Sequence, residues 1–61
     1  MRVERGDKGA SVKEIQKLLG IKPDGDFGNG TETAVKNFQK SRGLKDDGIV
    51  GNKTYALLIS F

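Results

Sequence analysis

The sequence contains no cysteine, histidine or tryptophan, and it has a single proline. Without cysteine and histidine, the chain cannot form a disulfide framework, a Cys or His zinc site, a His-activated nucleophile or a haem ligand of the usual kind. No apolar run approaches the roughly 18 residues that a membrane span needs. We therefore expect no metal, no other cofactor and no membrane partner, and most enzyme chemistries are excluded.

The chain is short, and its charge is mildly basic. Sixty-one residues form one domain at most and lie near the lower limit for folding without disulfide or metal crosslinks. Eleven Lys and Arg against eight Asp and Glu give a formal charge of +3, but the basic residues are scattered and form no run. Ordinary solvation explains them more simply than a dedicated anion-binding patch does.

An internal repeat organises the sequence. A shift of 23 residues aligns "VKEIQKLLGIKPDGDFGNGT" (12–31) with "VKNFQKSRGLKDDGIVGNKT" (35–54), with 11 identities in 20 positions. A partial third copy has Leu58 where the others have Val12 and Val35, and it continues to Phe61. Repeats of this kind encode units that bury their apolar faces against each other, so we predict a pseudo-symmetric arrangement.

Each unit is predicted to be a helix followed by a turn, which makes the fold an all-α, compact three-helix bundle. The predicted core-facing residues are Val12, Ile15, Leu18 and Leu19 in the first helix, Ala34, Val35 and Phe38 in the second (about 29–42), and Ala56, Leu57, Leu58 and Phe61 in the third (from about 52). Gly20 and Gly43 are expected to end the first two helices. A Ser11–Glu14 capping box or Gly9 would begin the first.

The turn phrases have their own chemistry. In Asp24-Gly25 and Asp47-Gly48, the carboxylate can accept backbone N–H bonds while glycine adopts a positive φ. Phe27 and Val50 then enter the core. The side chain of Asn29, Thr31, Asn52 or Thr54 would accept hydrogen bonds from the first-turn N–H groups of the following helix. Gln16 and Gln39, at the edge of the apolar face, are expected to bind the backbone of a turn.

Several other functions are weaker matches to these residues. The glycine-rich phrases lack the order of a phosphate-binding loop. Asp24 and Asp26 resemble the start of a calcium loop, but the twelfth position is Val35 and the second copy has Ile49 in place of Asp26. Paired catalytic carboxylates would need a cleft that so small a bundle hardly provides.

A small basic nucleic-acid-binding domain is the main alternative, because helix-turn-helix domains also have three short helices. The stretch from Gly20 to Gly28, however, is longer than the three or four residues of a helix-turn-helix turn. Lys36 and Lys40 on the second helix are not accompanied by a cluster of base-reading side chains. We therefore expect no nucleic-acid partner.

The order of these elements resembles the peptidoglycan-binding domain family, small three-helix modules of bacterial and phage cell-wall hydrolases that are related to the pro-segment of matrix metalloproteinases. "VERGDKGASVKEIQKLLG", "DGDFGNGTETAVKNFQKSRGL" and "DGIVGNKTYALL" carry the resemblance, which spans residues 3–58. The link "GIKP" is shorter than is common, and Asp26 replaces a usual aliphatic residue. The matched positions are mostly turn and core residues.

The resemblance implies a single domain (1–61) that does not catalyse a reaction and instead anchors a tethered hydrolase, such as an amidase, muramidase or peptidase, to the cell wall. A scaffold or pro-segment role is a further alternative, although the inhibitory cysteine of that relative is missing. We expect a monomer acting at a bacterial cell wall, encoded by a bacterium or a phage. Met1 and the abrupt end suggest an N-terminal module of a longer protein.

The candidate binding surface is the outer face of the second helix with the adjoining turns. Stem peptides of peptidoglycan carry carboxylates and amides, which polar side chains can bind through hydrogen bonds. The candidate residues for binding stem peptide and glycan are Asn29, Thr33, Asn37, Arg42, Asp47 and Tyr55. For Asn29 and Asp47 the alternative is a local cap or turn, Tyr55 could shield the core, and Arg42 could lie over it.

Overall fold

The computed structural model describes residues 1–60, which form three helices: α1 (Ala10–Leu19), α2 (Asn29–Ser41) and α3 (Asn52–Leu58). Between them lie a first turn segment (residues 20–28) and a second turn segment (residues 43–51). This confirms the predicted all-α, three-helix fold. The longest helix has 13 residues, and none within 1–60 has the length and apolar character of a membrane span. The predicted core role of Phe61 lies outside the described residues.

Glycines determine where α1 begins and ends. Gly9 is the N-cap, with a φ of 121° and no side-chain cap bond, so the Ser11–Glu14 capping box is wrong and its alternative is confirmed. Gly20 has a φ of 76°, and the cap N–H donates to the carbonyl groups of Gln16 and Lys17. A left-handed residue after the last turn is the usual helix stop, as predicted for Gly20.

Helices α2 and α3 begin at Asn29 and Asn52, as predicted, but their N-caps depart from the prediction. Extended glycines, Gly28 and Gly51, are the N-caps, and neither helix has a side-chain cap bond. The prediction that asparagine or threonine side chains would cap these helices is therefore wrong. At the far end of α2, Arg42 is the C-cap and Gly43 follows with a φ of 72°, which confirms the predicted helix stop.

A core of seven apolar residues lies where the helices meet, and α1 packs against both α2 and α3. The members are Val3, Val12, Ile15, Phe27, Val35, Val50 and Leu58, with Leu18, Leu19, Phe38 and Tyr55 packed partly buried against them. Each fully buried aliphatic or aromatic side chain contributes about 1.5 to 3 kcal/mol. The predicted core face is confirmed for most positions, but Ala56 is exposed to solvent, because it lies on the outer side of α3.

The N-terminal segment (residues 1–9) connects the two turn segments, which the repeat alone did not indicate. Val3 and Val50 exchange two backbone hydrogen bonds of 3.0 and 2.8 Å. Phe27 donates its N–H to Asp7 and accepts at its carbonyl from Gly6, both at 3.0 Å. The segment therefore ties both turn segments to one piece of backbone before α1 begins.

Candidate turn-framed surface on helix 2

A buried glutamine organises the first turn segment. Gln16 is 1% exposed, and its amide nitrogen Nε2 donates to Asp24 Oδ1 (2.8 Å), Thr31 Oγ1 (3.0 Å) and the Asp26 carbonyl (3.1 Å). Its Oε1 accepts the Gly25 N–H at 2.9 Å. One side chain thus joins α1, the turn and the start of α2, and every polar atom of the amide is used.

Gln39 makes the same set of contacts 23 positions later. Its Nε2 donates to Asp47 Oδ1 (3.1 Å), Thr54 Oγ1 (3.2 Å) and the Ile49 carbonyl (2.9 Å), and its Oε1 accepts the Gly48 N–H at 3.0 Å. The prediction that both glutamines bind turn backbone is confirmed, although they are fully buried rather than at an edge. Overall pseudo-symmetry of the units stays a prediction.

The two turn carboxylates are held in the charged state. The Asp26 N–H donates to Asp24 Oδ1, and with the Gln16 amide it lowers the pKa of Asp24 below its usual value. The Ile49 N–H is the main cause of the lowered pKa of Asp47, and the Gln39 amide adds to it. Both aspartates behave as predicted for Asp-Gly turns, and Gly25 and Gly48 have φ values of 78° and 76°.

Three of the predicted binding residues share one face of α2. Asn29, Thr33 and Asn37 are exposed and lie at spacings of four residues, so their side chains are neighbours along the helix. Arg42 is also exposed at the end of α2, with its guanidinium carbon 5.0 Å from the centre of the Phe38 ring. This cation–π contact matches the alternative in which Arg42 lies over the core.

The other two predicted residues have partners elsewhere. Asp47 is held within the second turn segment by Gln39, and the Tyr55 hydroxyl donates to the Glu14 carboxylate of α1. That bond is the main cause of the raised pKa of Tyr55. No side-chain hydrogen bond in residues 1–60 joins two of the six predicted residues, and the Tyr55 hydroxyl bonds to α1 rather than to the group on α2.

A cavity that the sequence analysis missed lies beside this face. It has a volume of about 250 Å³ and is lined by Gln16, Ile21, Lys22, Asp24, Gly30 and Thr31. Gly30 lies three residues before Thr33 and seven before Asn37, so the cavity is next to the predicted face of α2. The sequence held one signal for this cavity: in the repeat alignment, the first unit has Gly30 where the second unit has Lys53.

The surface offers hydrogen bonds and charges for binding. Within residues 1–60, no cluster of three or more His, Cys, Asp or Glu side chains could hold a metal ion. The ion pairs in this range are Arg2–Glu4 at 2.7 Å and Arg5–Glu32 at 3.3 Å, on the exterior of the fold. A ligand at such a surface would be held by polar contacts on a pre-formed frame.

The sequence from residue 8 to residue 58 matches the family described as "Putative peptidoglycan binding domain". The chain belongs to this family. No curated protein matches the sequence. The family assignment agrees with the resemblance found from the motifs, and it leaves most of the N-terminal segment outside the matched range.

Solved structures support the assignment. The SleB N-terminal domain is 40% identical with a TM-score of 0.92, and the alignment covers 97% of this chain and 89% of that one. A fused Zn-dependent amidase/peptidase/peptidoglycan-binding domain-containing protein from Clostridium acetobutylicum is 35% identical with a TM-score of 0.95, covering 98% of this chain and 29% of that one. The Burkholderia AP3 phage endolysin is 35% identical with a TM-score of 0.94, and the alignment covers 98% of this chain and 25% of that one.

This chain covers very different shares of the three solved proteins. The chain spans 29% of the Clostridium acetobutylicum protein and 25% of the phage endolysin, but 89% of the SleB domain. The similarity therefore concerns one domain of those longer proteins.

Proposed function

We propose that this peptidoglycan-binding domain is a non-catalytic module that holds a tethered cell-wall hydrolase on peptidoglycan. The observation that carries the proposal is the family match over residues 8–58. Holding an enzyme at an insoluble polymer raises its effective concentration there without any new catalytic contact. Residues 1–61 would form one such domain, acting as a monomer at a bacterial cell wall.

The similar solved proteins support the tethered arrangement. One is described as a fused amidase/peptidase with a peptidoglycan-binding domain, and another as a phage endolysin. We infer that the parent of this module is a bacterial or phage cell-wall hydrolase of the amidase, muramidase or peptidase type.

The exposed face of α2 is our proposed contact surface for stem peptide and glycan. Asn29, Thr33 and Asn37 offer neutral hydrogen bonds along it, and the Arg42 guanidinium at its end offers a charge-assisted bond to a carboxylate. Asp47 and Tyr55 also remain candidates, with the turn and the Glu14 contact as their alternative roles. The glutamine-braced turns would keep this surface in one conformation before binding.

Co-sedimentation with purified, insoluble sacculi tests the proposal. We expect the folded chain to pellet with sacculi at about 0.15 M salt and to stay bound when plasmid DNA is added as competitor. A Thr33→Ala/Asn37→Ala double variant should lower the affinity about tenfold, equivalent to 1.4 kcal/mol, whereas Ser11→Ala on the exposed side of α1 should bind as the wild type does.

Each other outcome has a clear meaning. A folded chain that stays in the supernatant would reject the wall-binding role. Release at moderate salt together with tight DNA binding would favour the nucleic-acid alternative, because such binding is dominated by counterion release. Equal loss of binding in the double variant and in Ser11→Ala would remove the α2 face as the contact surface.

A further inference from the structure

The cavity beside α2 is small, is bordered by the first turn segment and α2, and is open to solvent. Its volume of about 250 Å³ lies below the roughly 300 to 1,000 Å³ of pockets for drug-sized ligands. A group the size of one amino acid fits this space, and a whole disaccharide-peptide repeat does not. The cavity is therefore suited to one terminal group of a larger polymer.

Side chains of opposite charge line the cavity without forming an ion pair. Lys22 and Asp24 both contribute to its wall, yet they are not among the ion pairs within residues 1–60. Asp24 Oδ1 accepts from Gln16 and Asp26, and no hydrogen bond in the described chain engages Oδ2. A ligand that carries both an ammonium and a carboxylate group would complement this pair, and Ile21 supplies an apolar wall.

The second unit provides an internal comparison. Its equivalents of the cavity residues are Gln39, Leu44, Lys45, Asp47, Lys53 and Thr54. The main chemical difference is Lys53 in place of Gly30. Apart from the adjacent residues and the backbone of α2, no atom lies within 4 Å of the position that a Cβ at Gly30 would take, so a lysine there would enter open space at the cavity and bring a second positive charge.

We propose that this cavity binds the free α-amino carboxylate end of a diamino dicarboxylic acid in the peptidoglycan stem peptide. Asp24 accepts hydrogen bonds from the ligand ammonium, Lys22 pairs with the ligand carboxylate, and Gly30 leaves the space that the group occupies. The inference rests on the proposed function and names the part of the polymer that is recognised. A stem peptide with lysine at the same position lacks the second carboxylate and makes only one of the two charged contacts.

Calorimetric titration of the full chain with two soluble tripeptides tests this inference. One is L-alanyl-γ-D-glutamyl-meso-diaminopimelate, and the other has L-lysine as its third residue. We expect the diaminopimelate peptide to bind at least about tenfold more tightly, and Gly30→Lys to lose most of that preference. The matched control, Lys53→Gly, should bind as the wild type does. A double exchange of the two residues keeps the net charge and should bind as poorly as Gly30→Lys.

A second pair of variants keeps the test decisive if Gly30→Lys fails to fold. Asp24→Asn retains an Oδ1 acceptor for the turn but removes the charge, so it should weaken diaminopimelate-peptide binding about tenfold, whereas Asp46→Asn, at an exposed carboxylate of the second turn segment, should not. Equal affinity for the two tripeptides, or equal effects of the two aspartate variants, would overturn the inference. So would displacement of the peptide by an N-acetylglucosamine oligomer. Retention on sacculi together with any of these results would reject the inference and leave the proposed function standing.

Discussion

Gln16 and Gln39 show how one residue type can hold a turn in a very small core. Each amide is 1% exposed, and each uses both its donor and its acceptor atoms on a turn and on the next helix. Buried amides that are fully hydrogen-bonded add specificity without leaving an unsatisfied polar atom. Within residues 1–60, no buried side-chain nitrogen or oxygen lacks a partner.

Removal of either glutamine amide should destabilise the fold strongly. Gln16→Ala or Gln39→Ala leaves turn N–H and carbonyl groups without their partner, at a cost of about 2 to 4 kcal/mol in the free energy of unfolding. Lys17→Ala, on the exposed side of α1, should change it by less than about 0.5 kcal/mol. Urea unfolding followed by circular dichroism measures both. A glutamine variant as stable as the lysine variant would contradict the bracing role.

The turn carboxylates predict an acid dependence of stability. The pKa values of Asp24 and Asp47 are lowered from 3.8 in the folded chain, so the unfolded chain binds more protons at acidic pH. Their contribution is present above pH 3.8 and is lost as the pH falls through the folded-state pKa. Melting curves from pH 2 to 6 should therefore show a shallower acid loss for Asp24→Asn/Asp47→Asn than for the wild type. Parallel curves would show that these carboxylates do not couple to folding.

Replacement of glycine by alanine should have opposite effects on stability at a helix cap and inside a helix. Gly20 adopts a positive φ after the end of α1, whereas Gly30 lies inside α2 and is absent from the glycines with positive φ. Gly20→Ala should lower the free energy of unfolding by about 1 to 2 kcal/mol, because L-residues are strained in the left-handed region. Gly30→Ala should raise it by about 0.5 kcal/mol, because alanine favours the helix. Thermal denaturation distinguishes these signs, and equal shifts would refute the assignment of the caps.

The helices themselves could be predicted because their apolar spacing and the glycines after them act locally. Val12, Val35 and Leu58 are 0% to 1% exposed, as the repeat required. The N-caps of α2 and α3 could not be predicted, because Thr31 and Thr54 were free to bond either the helix N–H groups or a glutamine 15 residues away. Tertiary contacts decided that choice, and local propensity carried no information about them.

On the scale of the fold, the N-terminal segment links both units. Val3 is buried at 5% exposure and pairs with Val50, and the chain terminus donates to Asn52. Val3→Ala should lower the free energy of unfolding by about 1 to 3 kcal/mol, a large share of the roughly 3 to 9 kcal/mol expected for a chain of this size. The exposed Met1→Ala provides the control. Identical unfolding midpoints for the two variants would mean that the segment does not support the core.

The arrangement of the proposed binding surface was only partly predictable from the sequence. The spacing of Asn29, Thr33 and Asn37 placed them on one face of α2, and the structure has them there. The contact between Tyr55 and Glu14 spans 41 positions and had no local signal. The cavity near Gly30 arises from the way α1, the first turn segment and α2 come together, so no single stretch of sequence encodes it.

An NMR titration of the chain with muramidase-solubilised peptidoglycan fragments tests most directly whether a rigid, turn-framed surface binds the cell wall. We predict saturable shifts of amide signals from the first turn segment and from the outer face of α2, including Gly30, Thr33 and Asn37. Signals of the core residues Val35 and Val50 should stay in place, because the frame is formed before binding. An absence of shifts at saturating fragment, or shifts spread through the core, would contradict the account.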